Sequence, residues 1–155
     1  MIELYDRYSQ ESRDLHESLV ATGLSQLGVV IDADGFLPDG LVSPFTYYLG
    51  YEKGKPLYFN QVSVPAFWEI SGNNQSARIE DRTQERAVIH YADGLQARLV
   101  KQVDWKDLEG RVRQVDHYNR FGACFATTTY SADSEPIMTI YQDVNGQEVL
   151  LENHV

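Results

Sequence analysis

Four histidines, a single cysteine and a short aspartate pair are the residues of this 155-residue chain whose chemistry could go beyond packing. Asp32 and Asp34, with Ala33 between them, form the kind of pair that holds a divalent ion against a nucleotide diphosphate. The same residues, followed by Gly35, also make a plain turn. As a calcium loop they fail, because the sixth position is Leu37 rather than glycine and the twelfth is Ser43 rather than glutamate. His16, His90, His117 and His154 lie 74, 27 and 37 residues apart, so none sits at the local spacing of a zinc site. Cys124 falls in an expected strand over residues 123–130, which suits a buried, inert thiol. No G-x-S-x-G elbow or G-x-G-x-x-G loop occurs. The run from Gly50 to Gly54, Lys55 and Pro56 lacks the spacing and hydroxyl of a phosphate loop. Glu80, Asp81 and Glu109 stand in turn-like surroundings as solvated charge, and Asn74-Gln75-Ser76 reads as a loop tripeptide. No catalytic residue, metal site or cofactor is expected.

Aromatic residues are the remaining signal. Phe45, Tyr47, Tyr48, Tyr51, Tyr58, Phe59, Phe67 and Trp68 crowd into 24 residues. They could stack on a peptide or sugar, or simply fill a strand-built core. A net charge of -10 repels nucleic acid and anionic lipid. Arg111, Arg113 and Arg120 form a weak basic stripe, read either as a dock for an acidic partner or as solvated strand faces.

The elements that must hold these residues are mostly strands. Tyr5, Tyr8, Ser12, Leu15 and Leu19 recur at helical steps, giving a helix over about residues 5–22, with Ser9 as a cap and Gly23 as its end. Residues 27–75 read as an irregular β region, with a strand at 27–31 and short segments at 47–49, 57–60 and 67–70, punctuated by Pro38, Pro44, Pro56 and Pro65. Residues 77–155 carry a period. Trp105-x-Asp107-x-x-Gly110, His117-Tyr118-Asn119-x-x-Gly122, Tyr130-x-x-x-x-Glu135 and Tyr141-x-Asp143-x-x-Gly146 follow one another at steps of 12, 13 and 11 residues. Such spacing is that of consecutive hairpins, each tight turn needing a residue with positive φ. The expected fold class is α+β, mainly β: one domain with an N-terminal helix and an extended antiparallel β-meander. Glu3, Asp6, Glu11, Asp14 and Glu17 exclude a signal peptide, so a cytoplasmic address is expected.

Several ordered segments carry a family resemblance. They are Gln10-Glu11-Ser12-x-x-Leu15-His16, Val30-Ile31-x-x-x-Gly35-Phe36-Leu37-Pro38, Lys55-Pro56-Leu57-Tyr58-Phe59-Asn60-Gln61-Val62, Phe67-Trp68-Glu69-Ile70-x-Gly72, Val103-Asp104-Trp105, Gly110-Arg111-Val112-Arg113 and Glu152-Asn153-His154-Val155. Across the whole chain this resembles GtfB, the glycosyltransferase-stabilising subunit family of the streptococcal accessory secretion system. The resemblance implies a non-catalytic adaptor or chaperone. Its partner, the catalytic subunit, moves N-acetylglucosamine from the UDP-sugar to serines of a serine-rich repeat adhesin. The two would form a hetero-oligomer in the cytoplasm, with the inner face of the membrane as a further place of peripheral association.

Catalytic relatives begin with a strand and a glycine-rich loop feeding a helix, whereas this chain is expected to begin with the helix at Tyr5. The resemblance also implies Rossmann-like portions beyond Val155, leaving here mainly the add-on β-sheet domain. Tyr47, Tyr48, Phe67 and Trp68 are the candidate residues for binding the acceptor or the partner. Two alternatives stay open: a direct part in UDP-sugar transfer through Asp32 and Asp34, and a purely structural solubilising sheet.

Overall fold

The computed structural model describes residues 1–25, 27–93 and 97–155. Its fold is α+β and mainly β, with a short helix near the N-terminus and an eight-stranded antiparallel sheet. Length alone suggests one domain; the chain groups into two compact units, Met1–Gly50 and Tyr51–Val155.

The first unit opens on a strand rather than on the helix. Strand β1 (Ile2–Tyr5) precedes helix α1 (Gln10–Ala21), and strands β2 (Leu27–Val30) and β3 (Leu41–Val42) complete a parallel sheet in the order β1-β2-β3. The expected start at Tyr5 moves to Gln10 because Ser9 makes a reciprocal cap. Its Oγ accepts the Ser12 N–H (3.2 Å), and Ser12 Oγ accepts the Ser9 N–H (2.7 Å). Tyr5 and Tyr8 fit a helical spacing, but both pack outside the helix against Val30, Leu37 and Leu41. The helix ends at the expected Gly23, which takes φ +71° while the Leu24 N–H donates back to the Leu19 carbonyl (3.0 Å).

Residues 47–49 do not form the expected strand. Ser43 caps a single turn, α2 (Pro44–Tyr47), by accepting the Phe45 N–H (3.3 Å), and Pro44 sits where a helix leaves its first N–H groups unpaired anyway.

In the second unit, the strand expected at 57–60 is reduced to one bridge, Tyr58 with Leu99, followed by a short 3₁₀ turn, Phe59–Gln61. The meander then runs through β4 (Glu69–Gly72), β5 (Ser76–Glu80), β6 (Glu85–Tyr91), β7 (Val100–Lys106), β8 (Val112–Tyr118), β9 (Cys124–Tyr130), β10 (Pro136–Gln142) and β11 (Glu148–Asn153). Each strand pairs antiparallel with the next, so chain order and sheet order coincide.

One turn chemistry repeats in the four turns that join the last five strands. Asp107 Oδ1 accepts the N–H groups of Glu109 (3.0 Å) and Arg111 (2.9 Å), Asn119 Oδ1 those of Phe121 and Ala123 (both 3.0 Å), and Asp143 Oδ1 those of Asn145 and Gln147 (both 2.9 Å). A glycine of positive φ follows each, at Gly110, Gly122 and Gly146. In the third turn Ser131 takes the aspartate's part and Ser134, with φ +62°, takes the glycine's.

The register lines up Ile79, Ala87 and Trp105, and beside them Ala77, Ile89 and Val103, on one face of β5, β6 and β7. Ile70 of β4 extends the row beside Ile79, and Leu57, Phe59, Val62, Val64 and Trp68 from the irregular segment pack against it and complete the core. Without that segment the apolar face would lie open to water, so its irregular backbone is structural.

Candidate docking surface

The four candidate aromatics fall in pairs, one in each unit. Tyr47 closes α2 and Tyr48 is its C-cap, so both side chains leave a short, exposed turn. Their rings meet edge to face with centroids 5.1 Å apart, a geometry that satisfies the ring quadrupoles while both remain largely exposed.

Phe67 and Trp68 are sequence neighbours with opposite environments. Trp68 is half-buried against the core of the second unit, and the Arg86 guanidinium lies 5.0 Å from its ring centroid. Arg86 is in turn held by Asp81 (3.1 Å), whose carboxyl is kept well below the usual range by the Thr83 hydroxyl and the Thr83 and Gln84 N–H groups. Phe67 is 82% exposed. It occupies the third position of a turn closed by the Trp68 N–H on the Pro65 carbonyl (3.2 Å), with φ +71°. That conformation suits glycine and costs any other residue about 1 to 3 kcal/mol. Arg82 stacks 5.8 Å from the Phe67 centroid. The crowding of the aromatics pointed to this corner, but nothing in the sequence singled out the two arginines that flank it, Arg82 and Arg86.

The other candidates are committed elsewhere. Asp34 Oδ1 accepts the Phe36 N–H (2.8 Å), which makes it the brace of its own turn, and the Asp32 N–H donates to the Asp6 carbonyl (2.9 Å). Gly54 is a packing residue: a methyl group there would stand 2.3 Å from the Phe121 carbonyl. Arg111 pairs with Asp107 (3.0 Å) and Glu109 (3.2 Å), and Arg113 approaches Asp107 at 3.8 Å, so these two arginines of the basic stripe are held at their own turn, while Arg120 lies 5.1 Å from the Phe121 ring centroid.

Each histidine has a separate partner. His16 Nδ1 lies 2.9 Å from the buried Glu3 carboxylate, and His90 lies 2.8 Å from Asp104. His117 contacts Thr128 (3.0 Å) and His154 contacts Thr139 (2.8 Å). Burial pushes the Cys124 thiol up to about 11, with Asp116 adding to the effect, which leaves it a poor nucleophile. Among the described residues no three His, Cys, Asp or Glu side chains converge as a metal site, and no helix is long and apolar enough to cross a membrane.

The arrangement therefore offers contact surfaces: two exposed tyrosines on a one-turn helix, a strained and exposed phenylalanine beside an arginine, and a sheet with β4 and β11 at its edges. The family models for the GtfB N-terminal domain and the GtfB middle domain match residues 2–48 and 68–155. A protein of Streptococcus pneumoniae serotype 4, named as a UDP-N-acetylglucosamine–peptide N-acetylglucosaminyltransferase stabilizing protein, is 91% identical over the whole chain. One of the same name from Streptococcus gordonii is 53% identical over 157 residues, again covering the whole chain. A crystal structure of a GtfA/B complex bound to UDP and GlcNAc contains a chain with 53% identity and a TM-score of 0.94 over 100% of this sequence and 35% of its own length. The chain likewise spans 35% of the length of both curated relatives.

Proposed function

Because the chain belongs to the GtfB family, we propose that it supplies the N-terminal part of a non-catalytic subunit that stabilises a peptide O-GlcNAc transferase. The observation that carries this is its close match, in sequence and in fold along its whole length, to a chain of the GtfA/B complex. On this reading the second unit is the add-on sheet. The parallel strand-helix-strand of the first unit is the opening of the Rossmann-type portion, whose remainder would lie outside these residues. Donor chemistry belongs to the catalytic partner. The residues between β1 and α1, Asp6 to Ser9, contain no glycine with which to cradle a phosphate.

The same reading assigns the serine-rich repeat adhesin as acceptor, bound in the cytoplasm during O-glycosylation, with peripheral contact at the inner face of the membrane. An extended polypeptide rich in Ser and Thr offers backbone groups and little apolar surface, which matches exposed rings and open sheet edges better than one deep pocket. Tyr47 and Tyr48 are the residues assigned to it. The direct-transfer alternative draws no support from Asp34, whose Oδ1 accepts the Phe36 N–H within its own turn.

The test is co-purification of the subunit with the catalytic transferase and with a serine-rich repeat peptide. Retention of both is expected. Replacing Tyr47 and Tyr48 by Ala is expected to weaken peptide capture while the transferase stays bound. Undiminished peptide capture would remove the tyrosines from the acceptor site.

A further inference from the structure

Phe67 is placed where neither its backbone nor its side chain gains from the fold. Its φ of +71° is one that glycine adopts freely, and its ring remains exposed although the neighbouring Trp68 packs into the core. A residue held this way persists when something outside the fold uses it.

The charge beside it is equally unused. Arg82, at the tip of the β5–β6 hairpin, lies over the ring, and among the described residues it forms no ion pair. The neighbouring carboxylate, Asp81, is taken by Arg86 and by the turn. Arg82 itself is exposed at the hairpin tip.

We propose that Phe67 and Arg82 together anchor a folded protein partner, the ring entering an apolar pocket and the guanidinium edge meeting a carboxylate on the pocket's rim. The shape decides the class of partner. A ring projecting from a tight turn is convex and needs a concave receptor, which a folded domain provides and an extended serine-rich chain does not. Aromatic and arginine side chains are also the residue types that dominate interface energetics, and stacking leaves the guanidinium edge free for a bidentate carboxylate. Phe67 therefore serves the catalytic transferase subunit rather than the acceptor. This inference rests on the adaptor reading given above and assigns a site within it.

Phe67→Gly separates a binding role from a structural one, because glycine relieves the turn while removing the ring. In the full-length subunit, F67G is expected to melt at or above the wild-type temperature when heated without its partner, yet to bind the purified catalytic transferase at least about tenfold more weakly by calorimetry. R82E, which leaves the turn intact, should weaken binding to a similar degree. If F67G melts lower than the wild type, the ring also supports the fold, and R82E then decides alone. Wild-type affinity in both variants would overturn the inference and leave the pairing of the two subunits standing. Loss of serine-rich peptide binding with transferase affinity unchanged would overturn it too, by returning the corner to the acceptor. A wild-type subunit that does not bind the transferase would remove the adaptor reading itself, and this anchor with it.

Discussion

Thr128 and Thr139, directly paired across β9 and β10, share a hydrogen bond of 2.8 Å between their buried hydroxyls. The bond is the middle link of a polar seam. His117 Nε2 lies 3.0 Å from Thr128 Oγ1, and His154 Nε2 lies 2.8 Å from Thr139 Oγ1, so the seam crosses from β8 to the residue just past β11. Its three contacts require three protons. The two hydroxyls bring at most one each, so at least one histidine must donate through Nε2, and the other accepts when both hydroxyl protons stay in the seam. Thr128→Val keeps the shape but orphans His117 Nε2 and leaves Thr139 with His154 alone, and should lower stability by about 1 to 3 kcal/mol in urea unfolding. The Thr128→Val/Thr139→Val pair should cost less than the sum of the singles, because their shared bond is lost only once.

Mild acid should stress the same seam. Burial lowers the His117 pKa from its ordinary 6.5, against the opposing pull of Asp104 and Asp116, while Lys101 acts in the same direction as burial. A base whose folded pKa is depressed binds more protons when unfolded, so the stability it confers is full above pH 6.5 and falls as the pH drops below it. Thermal unfolding at pH 7.5 and at pH 5.5 should show this loss. His117→Gln, which still offers a donor and an acceptor, should flatten the difference even if it lowers both temperatures. An unchanged slope would exclude His117 as the source.

Glycines of the meander turns should respond unequally to substitution. Gly110 and Gly122 both take positive φ, +79° and +81°, so Ala at either carries the backbone strain, about 1 kcal/mol. A methyl group on Gly110 would meet nothing within 4 Å, whereas one on Gly122 would stand 2.3 Å from the Lys55 carbonyl oxygen. There the irregular segment lies backbone to backbone against the β8–β9 turn. Gly122→Ala should therefore cost roughly 2 kcal/mol or more beyond Gly110→Ala, as overpacking against a rigid backbone does. Denaturant midpoints of the two variants check the difference.

The meander was legible because its information is local. Each turn carries its own Asx and glycine, and each strand fills the space between two turns, so the hairpins at Asp107, Asn119 and Asp143 could be read one at a time. Strand β1 was not legible. Four residues are too few to show a period, and its partner β2 lies more than twenty positions away. Tyr5 and Tyr8 then lent a false helical spacing to the residues ahead of the Ser9 cap. The one-turn helix α2 shows the opposite failure, since Ser43 and Pro44 are a helix-start signal outweighed by the strand-forming aromatics behind them. At the docking surface, residue type pointed to Phe67. Its positive φ, and the stacking of Arg82, depend on the fold.

The first unit should lose stability in stronger acid, through Glu3. Its carboxylate is buried beneath α1, and burial alone would raise its pKa. The nearby Ser25 hydroxyl and hydrogen bonds with Tyr5 and His16, together with the charge of His16, outweigh that and hold it at about 2, against an ordinary 4.5. Tyr5, half-buried and drawn to the same carboxylate, is pushed up to about 12 and remains a donor. A carboxyl depressed in the folded state contributes stability that is fully present above pH 4.5 and is lost as the pH falls from 4.5 towards 2. Glu3→Gln should destabilise the protein at pH 7, because a neutral amide answers His16 and Tyr5 less well than a carboxylate does. The same variant should lose less between pH 4.5 and 2.5 than the wild type, so the two melting curves converge on acidification. Parallel loss in both would place the acid sensitivity elsewhere in the chain and leave Glu3 as a packing residue.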